Sequence, residues 1–269
     1  MLKAVLHELR LIAIALQFFT RVPVTGSLAA WVGFSPQMLR ASAAHLPGIG
    51  WLVGGVAALV FVAVGIGLQS VAGAFAAAVL STVATVMLTG AFHEDGLADV
   101  ADGLGGSANR ERALEIMKDS RIGAFGAVAL VLALGLKFAL LATLAGRGLE
   151  AVAVAIVGAH VLSRLAPLFL IRWLPYVGDS GASKAKPLAD AISGGALVVA
   201  VLWSVPAVAL LLCAHDVVHV GAALLAAVLA AGWMARLFLR RLQGFTGDGL
   251  GATQQVCELA IYLVLAWQA

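Results

Sequence analysis

Glu94, Asp95, Asp99 and Asp102 place four carboxylates within nine residues of a chain in which only 12% of residues are charged. At about 100° per residue, a helix through this stretch brings Asp95, Asp99 and Asp102 into an arc of roughly 60°. Like charges on adjacent turns repel, and a cation among them offsets the repulsion. Hard, all-oxygen donors of this kind suit Mg²⁺, which binds through one or two carboxylates together with substrate phosphates. Glu94 lies off the stripe by about a quarter turn, where it suits an outer-shell contact or a base. Gly96, Gly103, Gly105 and Gly106 let a bulky ligand approach the backbone, and the later ones predict that the helix ends right after Asp102. On spacing alone, the alternative is a solvated acidic loop between membrane helices.

The elements that must position these acids are membrane spans. With 62% hydrophobic residues and a mean hydropathy of +1.03, the chain is no ordinary soluble globule, since average charged usage is about 25%. Apolar runs at about 46–68, 71–92, 122–145, 149–171, 192–214, 217–239 and 251–268 predict seven transmembrane helices, all-α and polytopic, in a single domain over 1–269. Residues 1–24 predict an N-terminal interfacial helix, because the apolar run from Leu11 to Phe19 is too short to span about 30 Å and Pro23 stops it. Thirty glycines suit close helix packing in lipid. Cys213 and Cys257 read as small apolar residues, and no basic, aromatic-interleaved tract points to nucleic acid.

Positive charge sorts the connections. Arg40, Arg110, Arg112, Lys118, Arg121, Arg172, Lys184, Lys186, Arg240 and Arg241 fall on one side, against Arg147 on the other, so the acidic stretch is expected to face the cytoplasm of the cell (inner) membrane. The loops expected there, about 93–121, 172–191 and 240–251, include Lys118–Gly123 and a second Gly/Asp cluster, Gly244–Gly251, holding Thr246 and Asp248. Arg164 lies inside the fourth run, where a charge needs a partner or an aqueous cavity. These elements are expected to converge on one pocket. Lys137 reads as a lone intramembrane charge with no obvious site.

Five blocks, in order, carry a resemblance: Phe18–Pro23, Pro47–Gly50, His93–Gly106, Met117–Gly123 and Gly244–Ala252. Together they run nearly end to end, and the chain resembles the adenosylcobinamide-GDP ribazoletransferase (cobalamin synthase) family. The resemblance implies a Mg²⁺-dependent integral membrane transferase that joins adenosylcobinamide-GDP to α-ribazole or its 5′-phosphate and releases GMP. A ribose hydroxyl attacks the phosphorus bearing the cobinamide arm, and GMP leaves. Such a transfer needs alignment and charge neutralisation more than covalent help.

On that basis Asp95, Asp99, Asp102 and Asp248 are expected to hold one or two Mg²⁺. Lys118 and Arg121 would offset the remaining charge, and Asp95 or Glu94 would take the hydroxyl proton. Arg21, Arg164, Gly103, Gly105, Gly106 and Thr246 complete the expected substrate contacts. A homo-oligomer is also expected to be open to such a protein. Many members carry an acid shortly after the last glycine block; here Gln254 and Gln255 stand there and the next acid is Glu258.

Two other classes share features with this pattern. Membrane CDP-alcohol-type phosphotransferases also hold metal on an Asp-rich helix end, but with a longer gap before the later aspartates and an Arg that this chain lacks at the matching place. A cation or metabolite transporter would carry acids near the midplane of several spans.

Overall fold

The computed structural model describes residues 2–178 and 192–267. The part of the expected 172–191 loop from 179 onward, with Lys184 and Lys186, lies outside the described residues. Seven helical segments are long and apolar enough to cross a membrane, and no strand forms among the described residues. The protein is an all-α, polytopic membrane protein.

Helix α1 (Leu2–Phe19) is not one of the seven segments. It buries Leu11, Ile14, Ala15 and Phe19 against the bundle and exposes Leu2, Val5, Leu6 and Leu9, so its apolar residues serve two surfaces. Short α2 (Gly26–Val32) follows. Then α3 (Pro36–Ser42), a 3₁₀ turn (Ala43–His45) and α4 (Leu46–Gly67) make one nearly continuous segment, Pro36–Gly67, which begins ten residues before the run read from the sequence. The second span is α5 (Val71–Thr89). Two helices, α6 (Phe92–Gly106), which carries the acidic stretch, and α7 (Arg110–Met117), then occupy most of the expected 93–121 connection. The third span is α8 (Ala124–Ala145).

The fourth span is broken into α9 (Leu149–Ser163) and α10 (Ala166–Trp173). Pro167 has no N–H to donate and its ring crowds the carbonyl of Ser163, four residues back. The ladder there is replaced by tighter bonds, from Leu165 N to Leu162 O (3.1 Å) and from Leu168 N to Leu165 O (3.2 Å). Arg164 sits in this break. The last spans are α11 (Gly194–Ala214), α12 (Val217–Leu242) and α13 (Gly247–Ala266). The final helix starts four residues before the run read from the sequence, so Asp248 lies in its first turn and the 240–251 connection shrinks to a short turn.

Burial separates inner from outer helices. In their most apolar 18-residue stretches, 83% of residues are buried in the α9–α10 span and 67% in α13, against 22% in α8, α11 and α12. The two inner helices are therefore the ones whose side chains see protein on most sides. In lipid their packing depends on close backbone approach, and α4 supplies it. A Cβ at Gly50 would lie 2.6 Å from His160 O, and one at Gly54 would lie 2.9 Å from Val157 Cα.

The α6 end of the bundle is laced by polar contacts. Arg110 Nε donates to Leu242 O at 2.7 Å, and Arg241 Nη2 donates to Ser107 O at 2.8 Å. Val177 N donates to Phe245 O, and Phe245 N donates to Pro175 O, both at 2.9 Å. These bonds pin the α12–α13 turn between α6–α7 and the chain after α10.

Gly50→Ala is expected to destabilise the protein by about 1–3 kcal/mol, because the new methyl meets backbone that cannot give way. Gly55→Ala, on the same helix with open space around it, is expected to be neutral or stabilising by up to about 1 kcal/mol. Thermal unfolding of the two purified variants in detergent checks the contrast.

Candidate active site

Helix α6 is aimed by a corner. Gly90 and Ala91 both have left-handed backbone, φ 71° and 60°, and turn the chain sharply between α5 and α6. At Gly90 a Cβ would lie 2.4 Å from Arg21 Nε, so a side chain is excluded both by conformation and by the guanidinium. Arg21 is thereby held, exposed, beside the start of α6.

From that corner α6 runs against the head of α13. A Cβ on Gly96 would lie 2.6 Å from Asp248 O, and one on Gly251 would lie 3.3 Å from the Phe92 and His93 carbonyl oxygens. One glycine from each Gly/Asp cluster thus permits backbone-to-backbone contact. This contact brings the two clusters together: Asp95 is exposed, and Asp99 and Asp248 are half-buried.

The electrostatics of that group have one sign. The Asp99 carboxyl is pushed up to about 7, first by burial and then by Asp248, Asp95 and Asp102. A cation would offset each of those repulsions, so the donor chemistry fits a hard divalent ion. No three His, Cys, Asp or Glu side chains among the described residues converge on a single metal position. An ion held there would take its further ligands from water or a bound phosphate.

Asp102 has another employment. Its Oδ2 accepts from Gly123 N and its Oδ1 from Gly126 N, both at 2.8 Å, so the carboxylate caps the N-terminus of α8 and meets the positive end of that helix. A Cβ at Gly123 or Gly126 would lie 2.4 or 2.3 Å from those oxygens. The glycine that closes the Met117–Gly123 block is what lets Asp102 reach the amides.

The remaining expected site residues are dispersed. Arg121 is exposed and engaged by Asp119 at 2.6 Å, which holds the Asp119 carboxyl down at about 2. It shares an open cleft of about 570 Å³ with Asp102, Arg112, Ile122 and Phe125. Lys118 is exposed just after α7. Thr246 caps α13 by accepting from Gly249 N at 3.1 Å.

The later glycines of α6 serve helix packing. The methyl that an alanine would add at Gly103 points at Met117 and Ala113, at Gly105 it points at Phe125, and at Gly106 it points at Ile116. The helix accordingly continues four residues past Asp102 and ends at Gly106.

Glu94 and Arg164 point inward, 8% and 2% exposed. Arg164 Nη1 donates to His160 O at 2.8 Å and lies 3.0 Å from His160 Nδ1. Glu94 Oε1 accepts from Gln255 Nε2 at 3.3 Å. Beneath them lies a buried polar network. Lys137 Nζ pairs with Glu258 Oε1 at 2.7 Å, and Gln254 Nε2 donates to Glu258 Oε2 at 2.6 Å. Lys137 is therefore not a lone charge. The available signal was the unusual polarity of Gln254, Gln255 and Glu258 inside a span.

This fold and site define a polytopic membrane enzyme whose acidic helix and second aspartate cluster meet at one end of the bundle. A family model described as cobalamin-5-phosphate synthase matches residues 11–266. The chain is similar to proteins named adenosylcobinamide-GDP ribazoletransferase. That of Polaromonas sp. (strain JS666 / ATCC BAA-500) is 58% identical over 94% of this chain and 95% of its own length. That of Polaromonas naphthalenivorans is 56% identical over 99% of each, and that of Shewanella amazonensis is 46% identical over 96% of this chain and 95% of its own. No solved structure gives a significant match. The chain belongs to the cobalamin-5-phosphate synthase family.

Asp99 also sets a pH dependence. Its folded-state value of about 7 exceeds the unfolded carboxylate value of about 3.9. Between those values the folded state holds the extra proton, so without metal stability falls as pH rises from about 4 to 7. In EDTA, Asp99→Asn is expected to flatten that fall and to raise the melting temperature at pH 8 above wild type. Asp102→Ala, which strips two amides of their acceptor, is expected to lower it by the equivalent of about 1–3 kcal/mol. Melting curves from pH 5 to 8 check both.

Proposed function

We infer that the protein is an adenosylcobinamide-GDP ribazoletransferase, joining adenosylcobinamide-GDP to α-ribazole or α-ribazole 5′-phosphate with release of GMP. The observation that carries this reading is the meeting of Asp95 and Asp99 on α6 with Asp248 on α13 across the Gly96 contact. The family membership, which spans residues 11–266, supports it.

The reaction moves a phosphoryl group from one oxygen to another. The ribose hydroxyl of α-ribazole forms a bond to the phosphorus that carries the cobinamide arm, the pyrophosphate bond to GMP breaks, and the hydroxyl proton leaves. Asp95, Asp99 and Asp248 would hold Mg²⁺ beside the pyrophosphate, while Asp102, the fourth acid expected in this set, is engaged by the amides of Gly123 and Gly126. The ion, when bound, neutralises phosphate charge and favours the ionised hydroxyl. The phosphates of the nucleotide substrate would supply further ligands to it.

Asp95 or Glu94 takes the hydroxyl proton, for which general-base help is worth roughly 10²–10⁴ in rate. Asp95 is exposed to the site, and Glu94 is buried one residue away. Arg21 and Lys118, at the rims of α6 and α7, and Arg121 in the adjoining cleft supply positive charge toward the substrate's phosphates. Arg164 acts from within the protein through His160 and the charge of Glu94.

The site faces the cytoplasm of the inner membrane in this reading. The supporting feature is the excess of Arg and Lys in the connections at its end of the bundle, against Arg147 at the other.

Purified protein given adenosylcobinamide-GDP and α-ribazole is expected to release GMP only when Mg²⁺ is present. Asp95→Asn and Asp99→Asn are expected to lower turnover at least 100-fold while the proteins stay monodisperse; near-wild-type turnover in both would sink the metal assignment. In a calorimetric titration, Mn²⁺ as probe is expected to bind far more tightly with adenosylcobinamide-GDP present than without it. Equal affinity in both conditions would point to a site closed by protein ligands alone.

A further inference from the structure

The buried network under the site runs in one direction. Glu258, 1% exposed, is paired with Lys137. Gln254 turns its amide nitrogen toward Glu258 Oε2 (2.6 Å) and Ser163 Oγ (2.9 Å), which leaves its Oε1 to accept from Gln255 Nε2 at 3.0 Å. The same Gln255 nitrogen donates to Glu94 Oε1. Glu94 Oε2, also buried, has no hydrogen-bond partner among the described residues.

A glutamine amide donates at one end and accepts at the other. A fixed negative charge at one end of a chain of two such amides therefore decides which end faces Glu94. With the Glu258 carboxylate in place, the chain delivers N–H to Glu94. Without it, both amides can reverse, and Gln255 then presents a carbonyl oxygen to a carboxylate.

An ion pair this deep is weak evidence for stability, since an apolar pair of similar volume is often as good or better. A residue charged within a span is instead a functional candidate. We propose that Gln255 is a positioning residue for Glu94, oriented from inside the membrane by the Lys137–Glu258 pair through Gln254. One carboxylate oxygen of Glu94 is thereby held, and the other, Oε2, keeps no protein partner among the described residues. The proposal rests on the reading of Glu94 as part of the reacting site.

The test is a kinetic cycle on full-length protein in lipid nanodiscs, measuring GMP release from adenosylcobinamide-GDP and α-ribazole. Gln255→Met is expected to lower kcat about tenfold, the scale of a lost hydrogen bond to a charged group, with KM for both substrates within about twofold. On a Glu94→Gln background, already slowed, the same change is expected to have no further effect. The neutral pair Lys137→Met with Glu258→Gln is expected to lower kcat to a similar extent, whereas Lys137→Arg alone, which keeps the ion pair with Glu258, is expected to leave it near the wild-type value.

Additive losses at 94 and 255, or a loss carried by KM, would overturn the proposal, as would a kcat loss in Gln255→Met that tracks a matching fall in melting temperature. Should the neutral pair not fold, Gln255→Met in both backgrounds decides. Full activity in Glu94→Gln overturns the underlying reading of Glu94 and is distinguishable from all of these outcomes.

Discussion

The contact between Gly96 and the backbone of Asp248 is the constraint on which the rest of the structure depends. Two helices meet there without intervening side chains, so carboxylates borne on both are forced into one another's fields. Asp99 registers this, raised by burial and by three neighbouring acids. Such crowding costs free energy in the protein alone, and a bound cation would offset it. The active end is thus strained electrostatically while its backbone is tightly fixed.

Fixing it takes polar bonds placed around the strained group. Asp102 ties α6 to the head of α8, Arg241 ties the end of α6 to α12, and Glu94 ties its beginning to α13 through Gln255. The broken span at Pro167 exposes the region around Arg164 to this system, and Gly50 brings α4 hard against the same helix. In a bundle held by close packing rather than by hydrophobic contrast with its solvent, these small residues and buried bonds act alongside two clusters of buried apolar side chains.

Much of the fold was legible because the signal is one of length. Seven apolar runs gave seven spans, and the acidic stretch forms a helix, as its spacing suggests. Boundaries were less legible where polar residues enter helices. Gly247–Gly251 opens α13 although it looks like a loop, because Thr246 caps it and α6 covers it. Lys137 looked isolated because its partner lies 121 positions further along the chain, at Glu258, and no local pattern encodes a pairing of that range.

The sequence by itself determined the class of chemistry: a compact set of carboxylates, a second Asp/Gly cluster, a membrane setting and five blocks in a family's order. Periodicity alone put Asp95, Asp99 and Asp102 on one stripe, since a helix repeats locally. Only the tertiary structure decided how those acids divide their roles. It set Asp95 and Asp99 against Asp248, turned Asp102 to the amides of Gly123 and Gly126, engaged Arg121 with Asp119, and buried Glu94 on a glutamine relay. Residue spacing fixes which side chains share a face, but what that face meets depends on helices that come together only when the whole bundle packs.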